Sequence, residues 1–230
     1  MSVVENSVER SEPWRRDEEL QAVLRGEMEN SGSIKHVYPG LRNNKIKVMH
    51  ESDYEEENHE RLTDTSLVAD AEISIRDWSD IGYWEDTVVI NQEEAEYDLD
   101  EAIDEYGLDE VIDRTVNNLL DEFTEQGFVY KDPSDNIGFF HERPKAFDVY
   151  DNGSFILFDD KPEELSENDL YLFEGAAANM YKQFAENIEE KTEEDRYSVM
   201  AKVAAASEHL VNDLNEQMHF LDAFEYNPGY

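Results

Sequence analysis

The feature that most constrains this chain is its excess of acidic residues, 58 Asp and Glu against 19 Lys and Arg in 230 residues. The resulting formal charge of −39 repels itself and weakens a compact state in ordinary buffer. The acidic residues are interleaved with 39% hydrophobic residues, which is enough apolar material to build a core. At molar salt the Debye length falls to about 3 Å, and the repulsion largely disappears. We therefore predict a folded, halophile-adapted protein; the alternative is an acidic protein that mimics nucleic acid.

The same charge limits the partners that the chain can bind. No cluster of Lys and Arg is present that could release counterions from phosphates, so specific binding of DNA or RNA is not expected. The basic pair Arg15–Arg16 is not followed by the apolar segment of a twin-arginine export signal. No run approaches the ~18 apolar residues of a membrane span, so no membrane partner is expected. Cysteine is absent, which excludes disulfides and thiolate chemistry.

The N-terminal half alternates short strand patterns with charged loops. A short amphipathic helix is predicted around Asp17–Met28. Lys45–His50, Val68–Arg76 and Thr87–Asn91 are predicted strands, the second with strict period-two alternation of apolar and polar residues. The fold class predicted for the whole chain is α+β, with a small N-terminal sheet and helices, then β-hairpins, then a C-terminal antiparallel helical hairpin.

The middle of the chain contains one clear helix and two predicted hairpins. Leu108–Gln126 has an apolar stripe at helical spacing, and Gly127 follows it as a natural C′ residue. One hairpin is predicted to pair residues 128–130 with 137–140 across a DPSDN turn. The other is predicted to pair residues 147–150 with 154–158 across Asp-Asn-Gly.

Two helices are predicted in the last third. Ser166 with Asp169, and Thr192 with Asp195, resemble capping boxes at their starts, and the second apolar stripe continues to Leu221. Because few residues join the two helices, they are expected to form an antiparallel hairpin. The five segments predicted for the chain are 1–33, an arm with a short helix; 34–106, a small α+β region; 107–165, a helix with two hairpins; 166–224, the helical hairpin; and 225–230, a tail.

A search for chemistry in the sequence is mostly negative. No phosphate loop, dinucleotide fingerprint, nucleophile elbow or zinc-protease motif is present, so we expect no enzyme and no cofactor. His219 and Asp222 could meet on one helix face, but chance carboxylate neighbours are expected in so acidic a chain, and no metal site is predicted. The DPSDN segment lacks the Gly and Glu of a calcium loop, so a turn is preferred.

Aromatic residues are conspicuous between residues 139 and 158. The interpretations are a sheet core or a contact between subunits, with a ligand cleft as the less favoured alternative. The residues concerned are Phe139, Phe140, Phe147, Tyr150, Phe155 and Phe158.

The run from Phe147 to Gln217 combines a hairpin with a Gly turn, a helix containing Gly175-Ala176-Ala177-Ala178, and a second helix containing Ala204-Ala205-Ala206. In this pattern it resembles the head–tail connector (adaptor) proteins of tailed viruses. It covers about a third of the chain and is a pattern of small and apolar residues, without a catalytic signature. The long α+β region in front departs from the family, which is often shorter and mainly helical.

This resemblance implies a structural virion protein of a haloarchaeal tailed virus, made in the cytoplasm of a high-salt host and placed in the neck. It implies a homo-oligomeric ring that joins the portal protein to tail or tail-completion proteins and lets genomic DNA pass without specific binding. Residues expected to dock on the portal or another partner are Phe220, Phe224, Tyr226, Pro228 and Tyr230. Residues expected at the contact between subunits are Ala177, Met180, Phe184, Ala201, Ala204 and Val211.

Two alternatives to a virion protein stay open at the level of the sequence. One is a soluble halophilic protein–protein interaction module of the host cell, which uses the helical hairpin to dimerise. The other is an enzyme with an unrecognised carboxylate site, which predicts carboxylates with perturbed pKa values in a pocket. The sequence does not separate an adaptor from a tail terminator or another virion part.

Overall fold

The computed structural model describes residues 30–31, 35–39, 44–62, 65–133, 136–151 and 153–207. The chain forms two compact units. Unit 1 comprises Met1–Tyr54 and Ala71–Glu93, and unit 2 comprises Glu55–Asp70 and Glu94–Tyr230. The α+β fold class is confirmed, with a sheet in unit 1 and helices towards the end of unit 2. The predicted helix Asp17–Met28 and the predicted tail 225–230 lie outside the described residues.

Unit 1 is built on a five-stranded antiparallel sheet with the order β1-β2-β3-β5-β4. The strands are β1 (Asn30–Ser31), β2 (Lys35–Pro39), β3 (Asn44–His50), β4 (Ala71–Arg76) and β5 (Thr87–Glu93). The central strands β3 and β5 pair along seven residues each. β4 starts at Ala71, later than the alternation of Val68–Arg76 predicts, because Val68 instead bridges to Ala146 in unit 2.

The two faces of this sheet follow from the strand register. Ile46 and Val48 share one face, as predicted, and pack there with Tyr38, Trp78 and Val89 in a buried cluster. Alternate residues of β3 and β5 point to the opposite face, which carries the buried side chains Lys47, Met49, Val88, Ile90 and Gln92. Two buried polar side chains therefore lie among apolar ones on the second face.

Unit 2 begins with α1 (Glu56–Leu62) and continues after β5 with α2 (Leu99–Tyr106). Asp98 and Glu101 form a capping box at the start of α2, and Gly107 ends it with a φ of 87°. α3 comprises Leu108–Thr115, a π-helical stretch Val116–Leu120 and Asp121–Glu125, which confirms the predicted helix in this region. Gly127 follows its end with a φ of 76°, as a C′ glycine should.

The hairpins predicted after α3 are wrong in their pairing. The strands are β6 (Phe128–Tyr130), β7 (Ile137–Phe140), β8 (Arg143–Ala146) and β9 (Phe155–Leu157). β6 pairs with the distant β9, and β7 pairs with β8 through a two-residue turn. That turn is His141-Glu142, and both residues have positive φ angles of 50° and 69°, as a tight right-twisted hairpin requires. Residues 147–150 are not a strand.

Aromatic contacts between residues distant in the sequence explain why β6 pairs with β9. The rings of Tyr130 and Phe155 stack with centroids 4.6 Å apart, and Phe123 of α3 packs edge-on against Phe155 at 5.2 Å. The local Asn-Gly signal does not outweigh this buried packing. Asn-Gly instead falls within the connection from β8 to β9, where Gly153 has a φ of 85°.

The described part of the C-terminal helical hairpin consists of α4 (Glu167–Lys191) and α5 (Arg196–Ala206), which pack against each other. Ser166 caps α4 as predicted. The cap predicted at Thr192 is wrong, because Asp195 accepts hydrogen bonds from Tyr197 and Ser198 at the start of α5. Thr192 ends α4 instead, donating to the carbonyl of Ile188. The predicted continuation of the second helix through Ser207 is also wrong, because Ser207 is an extended C-cap.

None of the helices in the described ranges is both long and apolar enough to span a bilayer.

Candidate functional site

The residues predicted to dock on a portal or another partner lie outside the described part of the chain. They are Phe220, Phe224, Tyr226, Pro228 and Tyr230. Their role therefore stays a prediction.

The residues predicted at a subunit contact fall into three groups. Ala177, Met180, Phe184 and Ala204 are buried within this chain, so their side chains pack in its own core. Ala201 is exposed. Val211 lies outside the described residues. The contact between subunits stays a prediction, with Ala201 as its exposed member among the residues that the structure describes.

The aromatic residues between 139 and 158 contribute mainly to the core. Phe139, Phe140, Tyr150 and Phe155 are buried, and Phe147 and Phe158 are half-buried. This burial agrees with the sheet-core interpretation. It leaves no described row of exposed phenylalanines to line a cleft.

Polar residues lie instead in two connections between the short strands of unit 2. Loop A is the connection from β6 to β7, residues 131–136, and carries Asp132 and Asn136. Loop B is the connection from β8 to β9, residues 147–154, and carries Asp148 and Asp151. Because β6 pairs with β9, the start of loop A and the end of loop B lie next to each other.

Two hydrogen bonds join loop A to loop B directly, and a third joins the residue before loop A to loop B. The amide of Lys131 donates to the carbonyl of Ser154 at 2.9 Å, and the amide of Phe147 donates to the carbonyl of Asn136 at 2.9 Å. The hydroxyl of Tyr130, the last residue of β6, donates to the carbonyl of Phe147 at 2.7 Å. Tyr130 thus connects the residue before loop A to the residue before Asp148.

The pKa of the Tyr130 hydroxyl reflects its burial and charges on both loops. Its side chain is fully buried, and burial raises the pKa of the hydroxyl well above its usual value. The negative charges of Asp148, Asp132 and Asp151 raise this pKa further. Carboxylates from both loops therefore act on one buried hydroxyl, although they lie far apart in the sequence.

The side-chain amide of Asn136 and the backbone of Asp148 each have a defined local geometry. The side-chain amide nitrogen of Asn136 donates to the carbonyl of Asp132 at 3.3 Å, which leaves Oδ1 as the acceptor end of that amide. Asp148 has a φ of 60°, in the left-handed region that non-glycine residues rarely adopt. Residues in this region persist only where surrounding contacts hold them, and they are frequent at functional sites. Here the hydroxyl of Ser154 donates to the carbonyl of Asp148 at 3.3 Å.

This site was missed at the level of the sequence because its signal is split. The DPSDN segment is typical of a hairpin turn, and Asp148 lies in a predicted strand. The sequence does contain a usable signal. Lys131, Asp132 and Asn136 follow the short apolar strand that ends at Tyr130, and a second Asp, Asp148, follows the next pair of strands. The pairing of β6 with β9, which joins these pieces, is not visible in local sequence patterns.

Comparisons with known proteins give little further information. No family model and no curated protein matches the chain. Among solved structures, the chain is similar to one titled "WaaP in complex with acyl carrier protein", with a TM-score of 0.49 and 9% sequence identity. That similarity covers 94% of this chain and 98% of the other. A likeness this weak carries no argument about fold or function.

Proposed function

We propose that unit 2 carries a magnesium-dependent phosphoryl-transfer site of the protein-kinase type, formed by loops A and B. The observation that carries the proposal is that hydrogen bonds join loops A and B beside Tyr130. Asp132 and Asn136 lie in loop A and Asp148 in loop B, and the charges of Asp132 and Asp148 both raise the pKa of the Tyr130 hydroxyl. In protein kinases an Asp and an Asn share one loop, and the metal-binding Asp lies in a second loop. Loops A and B supply the same three residue types in the same division.

The chemistry of these residues fits Mg²⁺. Carboxylate and amide oxygens are hard ligands, and Mg²⁺ is usually held by one or two carboxylates together with substrate phosphates. Within the described residues, no group of three or more His, Cys, Asp or Glu side chains could hold a metal ion by itself. Asp148 and the Oδ1 atom of Asn136 would therefore hold the ion together with phosphate oxygens. The bound ion would neutralise charge that develops on the transferred phosphoryl group.

Asp132 is assigned the role of proton acceptor. In the proposed reaction, the oxygen of an acceptor hydroxyl forms a bond to the terminal phosphorus of a nucleoside triphosphate. The bond from that phosphorus to its bridging oxygen breaks, the nucleoside diphosphate leaves, and the hydroxyl proton passes to the carboxylate of Asp132. Tyr130 has a positioning role, because its hydroxyl holds the carbonyl that precedes Asp148.

Three features of the chain depart from the kinase signatures. Three residues separate Asp132 from Asn136, where the kinase catalytic loop has four. The triplet in loop B is Asp148-Val149-Tyr150 in place of Asp-Phe-Gly, and the sequence has no Gly-rich phosphate motif. The proposal also departs from the expectation of no enzymatic activity, which depended on short motifs. Spatial convergence of the loops, and not a motif, supports it.

The decisive experiment measures nucleotide binding with and without Mg²⁺. ATP binding to the full chain in molar KCl is followed by calorimetry, and terminal phosphate release or transfer is measured alongside. We expect Mg²⁺ to strengthen ATP binding, and Asp148→Asn to abolish this strengthening. We expect Asp132→Asn to retain binding and to lose phosphoryl transfer.

Asp159→Asn is the matched control, because Asp159 is an exposed carboxylate just after β9 in the same unit. It should behave like the wild-type protein. The proposal is wrong if Mg²⁺ leaves ATP binding unchanged, or if Asp148→Asn and Asp159→Asn give the same binding curves.

A role as a neck or adaptor component of a haloarchaeal virion is kept as a second proposal. It is supported by the exposed large apolar side chains of α4 and α5, Tyr171, Leu172 and Tyr197, which a neighbouring subunit could cover. Light scattering at molar salt tests it: a ring-sized particle supports the virion role. A monomer that also fails to assemble on a portal contradicts it, and a small dimer favours the host interaction module.

A further inference from the structure

The backbone amide of Tyr130 lies on the edge of β6 that faces away from β9. The amide of the next residue, Lys131, donates to the carbonyl of Ser154 across the ladder. In an antiparallel ladder, neighbouring residues of one strand direct their amides to opposite sides, so the amide of Tyr130 does not bond to β9. Because Tyr130 is fully buried, this amide needs an acceptor from another element of the protein.

The acceptor is the sulfur of Met180 on α4. The distance from the amide nitrogen of Tyr130 to Sδ of Met180 is 3.3 Å, and Met180 is 1% exposed. The next residue of α4, Tyr181, donates its hydroxyl to the buried Asp121 of α3 at 2.6 Å. Two adjacent residues of α4 therefore hold α3 and the last residue of β6, although 50 positions of sequence separate Met180 from Tyr130.

Methionine does more at this position than fill space. Leucine would occupy a similar volume in an apolar core. A thioether sulfur is a hydrogen-bond acceptor, although a weak one, and a leucine side chain is not. Leucine at position 180 would leave the amide of Tyr130 buried without a partner, which native proteins avoid. Met180 thus satisfies a backbone group as well as packing in the core.

The contact with Met180 fixes the residue from which loop A starts. Asp132 follows Tyr130 by two residues, and the hydroxyl of Tyr130 donates to the carbonyl of Phe147 in loop B. The other end of loop A is held separately, because the amide of Phe147 donates to the carbonyl of Asn136. A shift of the Tyr130 backbone would therefore move Asp132 more than Asn136.

We propose that Met180 is a positioning residue for Asp132, because its sulfur holds the backbone of Tyr130 from which loop A carries this carboxylate. The inference rests on the phosphoryl-transfer function proposed for loops A and B, and it adds a residue of α4, outside both loops. A displacement of about 1 Å in a catalytic group can slow a reaction about 100-fold. The metal-binding role is assigned to Asp148 and Asn136, so loss of the sulfur should lower kcat and leave KM for ATP nearly unchanged.

The test compares Met180→Leu with Met180→Gln in the full chain, at molar KCl with ATP and Mg²⁺. Leucine removes the acceptor and suits the apolar core, whereas glutamine keeps an acceptor oxygen and buries a polar amide. We expect Met180→Leu to have the higher melting temperature of the two, and a kcat for terminal phosphate release about tenfold or more below the wild type. We expect Met180→Gln to retain more of the kcat. If Met180 only filled the core, kcat would follow stability, and the order of the two variants would be reversed.

Met200→Leu is the matched control, because Met200 is a buried methionine of α5 in the same helical hairpin. It should keep the kcat of the wild type. Hydrogen exchange at the amide of Tyr130, followed by NMR, should accelerate in Met180→Leu and not in Met200→Leu.

The outcomes separate this inference from the function on which it rests. If the wild type releases phosphate and the two leucine variants have the same kcat, or the same exchange at Tyr130, the positioning role is overturned and the phosphoryl-transfer function stands. If the wild type releases no phosphate, the phosphoryl-transfer function is wrong, and the positioning role is overturned with it.

Discussion

Replacing Tyr130 by Phe removes a hydroxyl that joins the last residue of β6 to loop B. The ring remains, so its stacking on Phe155 is preserved, while the 2.7 Å bond to the carbonyl of Phe147 is lost. A net hydrogen bond contributes about 0.5–1.5 kcal/mol, and a carbonyl left without its partner adds to the loss. We therefore expect the free energy of unfolding to fall by about 1–2 kcal/mol. For a chain of this size that corresponds to a melting temperature lower by roughly 2–8 °C.

The assay is thermal unfolding followed by circular dichroism at fixed molar KCl, repeated with ATP and Mg²⁺. The lost bond holds the carbonyl of Phe147, the residue just before Asp148. We therefore also expect a smaller Mg²⁺-dependent gain in ATP binding. Tyr106→Phe is the control, because the half-buried Tyr106 ring packs on Phe139 and its hydroxyl makes no hydrogen bond with a described residue. An unchanged melting temperature in Tyr130→Phe would refute the reasoning that this hydroxyl fastens the two loops.

Four further predictions concern stability. Asp121 is 4% exposed and accepts hydrogen bonds from the hydroxyls of Tyr181 at 2.6 Å and Ser207 at 2.8 Å. Tyr181→Phe and Ser207→Ala should each cost about 1.5–3 kcal/mol in denaturant unfolding, and additive losses would show that the two bonds are not coupled through Asp121. Burial and the charge of Asp121 raise the pKa of Tyr181 above its usual value. The stability that the protonated hydroxyl provides should therefore be present up to the ordinary tyrosine pKa of about 10 and be lost as the pH rises further. The loss of stability with pH should be less steep in Tyr181→Phe. Gly138→Ala should cost about 1–3 kcal/mol, because a Cβ there would lie 2.5 Å from the Cβ of Ala95; an unshifted melting curve would mean that this contact relaxes freely. Dialysis to millimolar salt should unfold the protein through charge repulsion, and an unchanged circular dichroism spectrum would remove the halophilic interpretation.

Local sequence patterns predicted the helices best where an apolar stripe and an end signal agree. Leu108–Gln126 has both, and the helix is found with Gly127 at its end. Ser166 likewise marks the start of α4. The pattern failed at Thr192, where two possible caps lie three residues apart and only the contacts of Asp195 decide between them. The helix pattern also failed at Ser207, whose hydroxyl donates a hydrogen bond to the buried Asp121.

Strand pairing was the main error, and it hid the candidate site. The β6–β9 ladder depends on packing between Tyr130, Phe155 and Phe123, which are distant in the sequence. Without this ladder, Asp132 and Asp148 fall on separate predicted hairpins. The contact between Met180 and Tyr130 was hidden for the same reason, because it joins residues 50 positions apart in the sequence.

The sequence by itself determined the fold class, the extreme charge, the main helices and the shared buried face of Ile46 and Val48 in the first sheet. These properties depend on composition and on periodicity within single segments, where each side chain's position follows from its neighbours along the chain. Only the tertiary structure decided which strands pair, and so which carboxylates and amides meet at loops A and B. Such meetings depend on burying aromatic and apolar surface from distant segments, and that burial outweighs local turn preferences such as Asn-Gly.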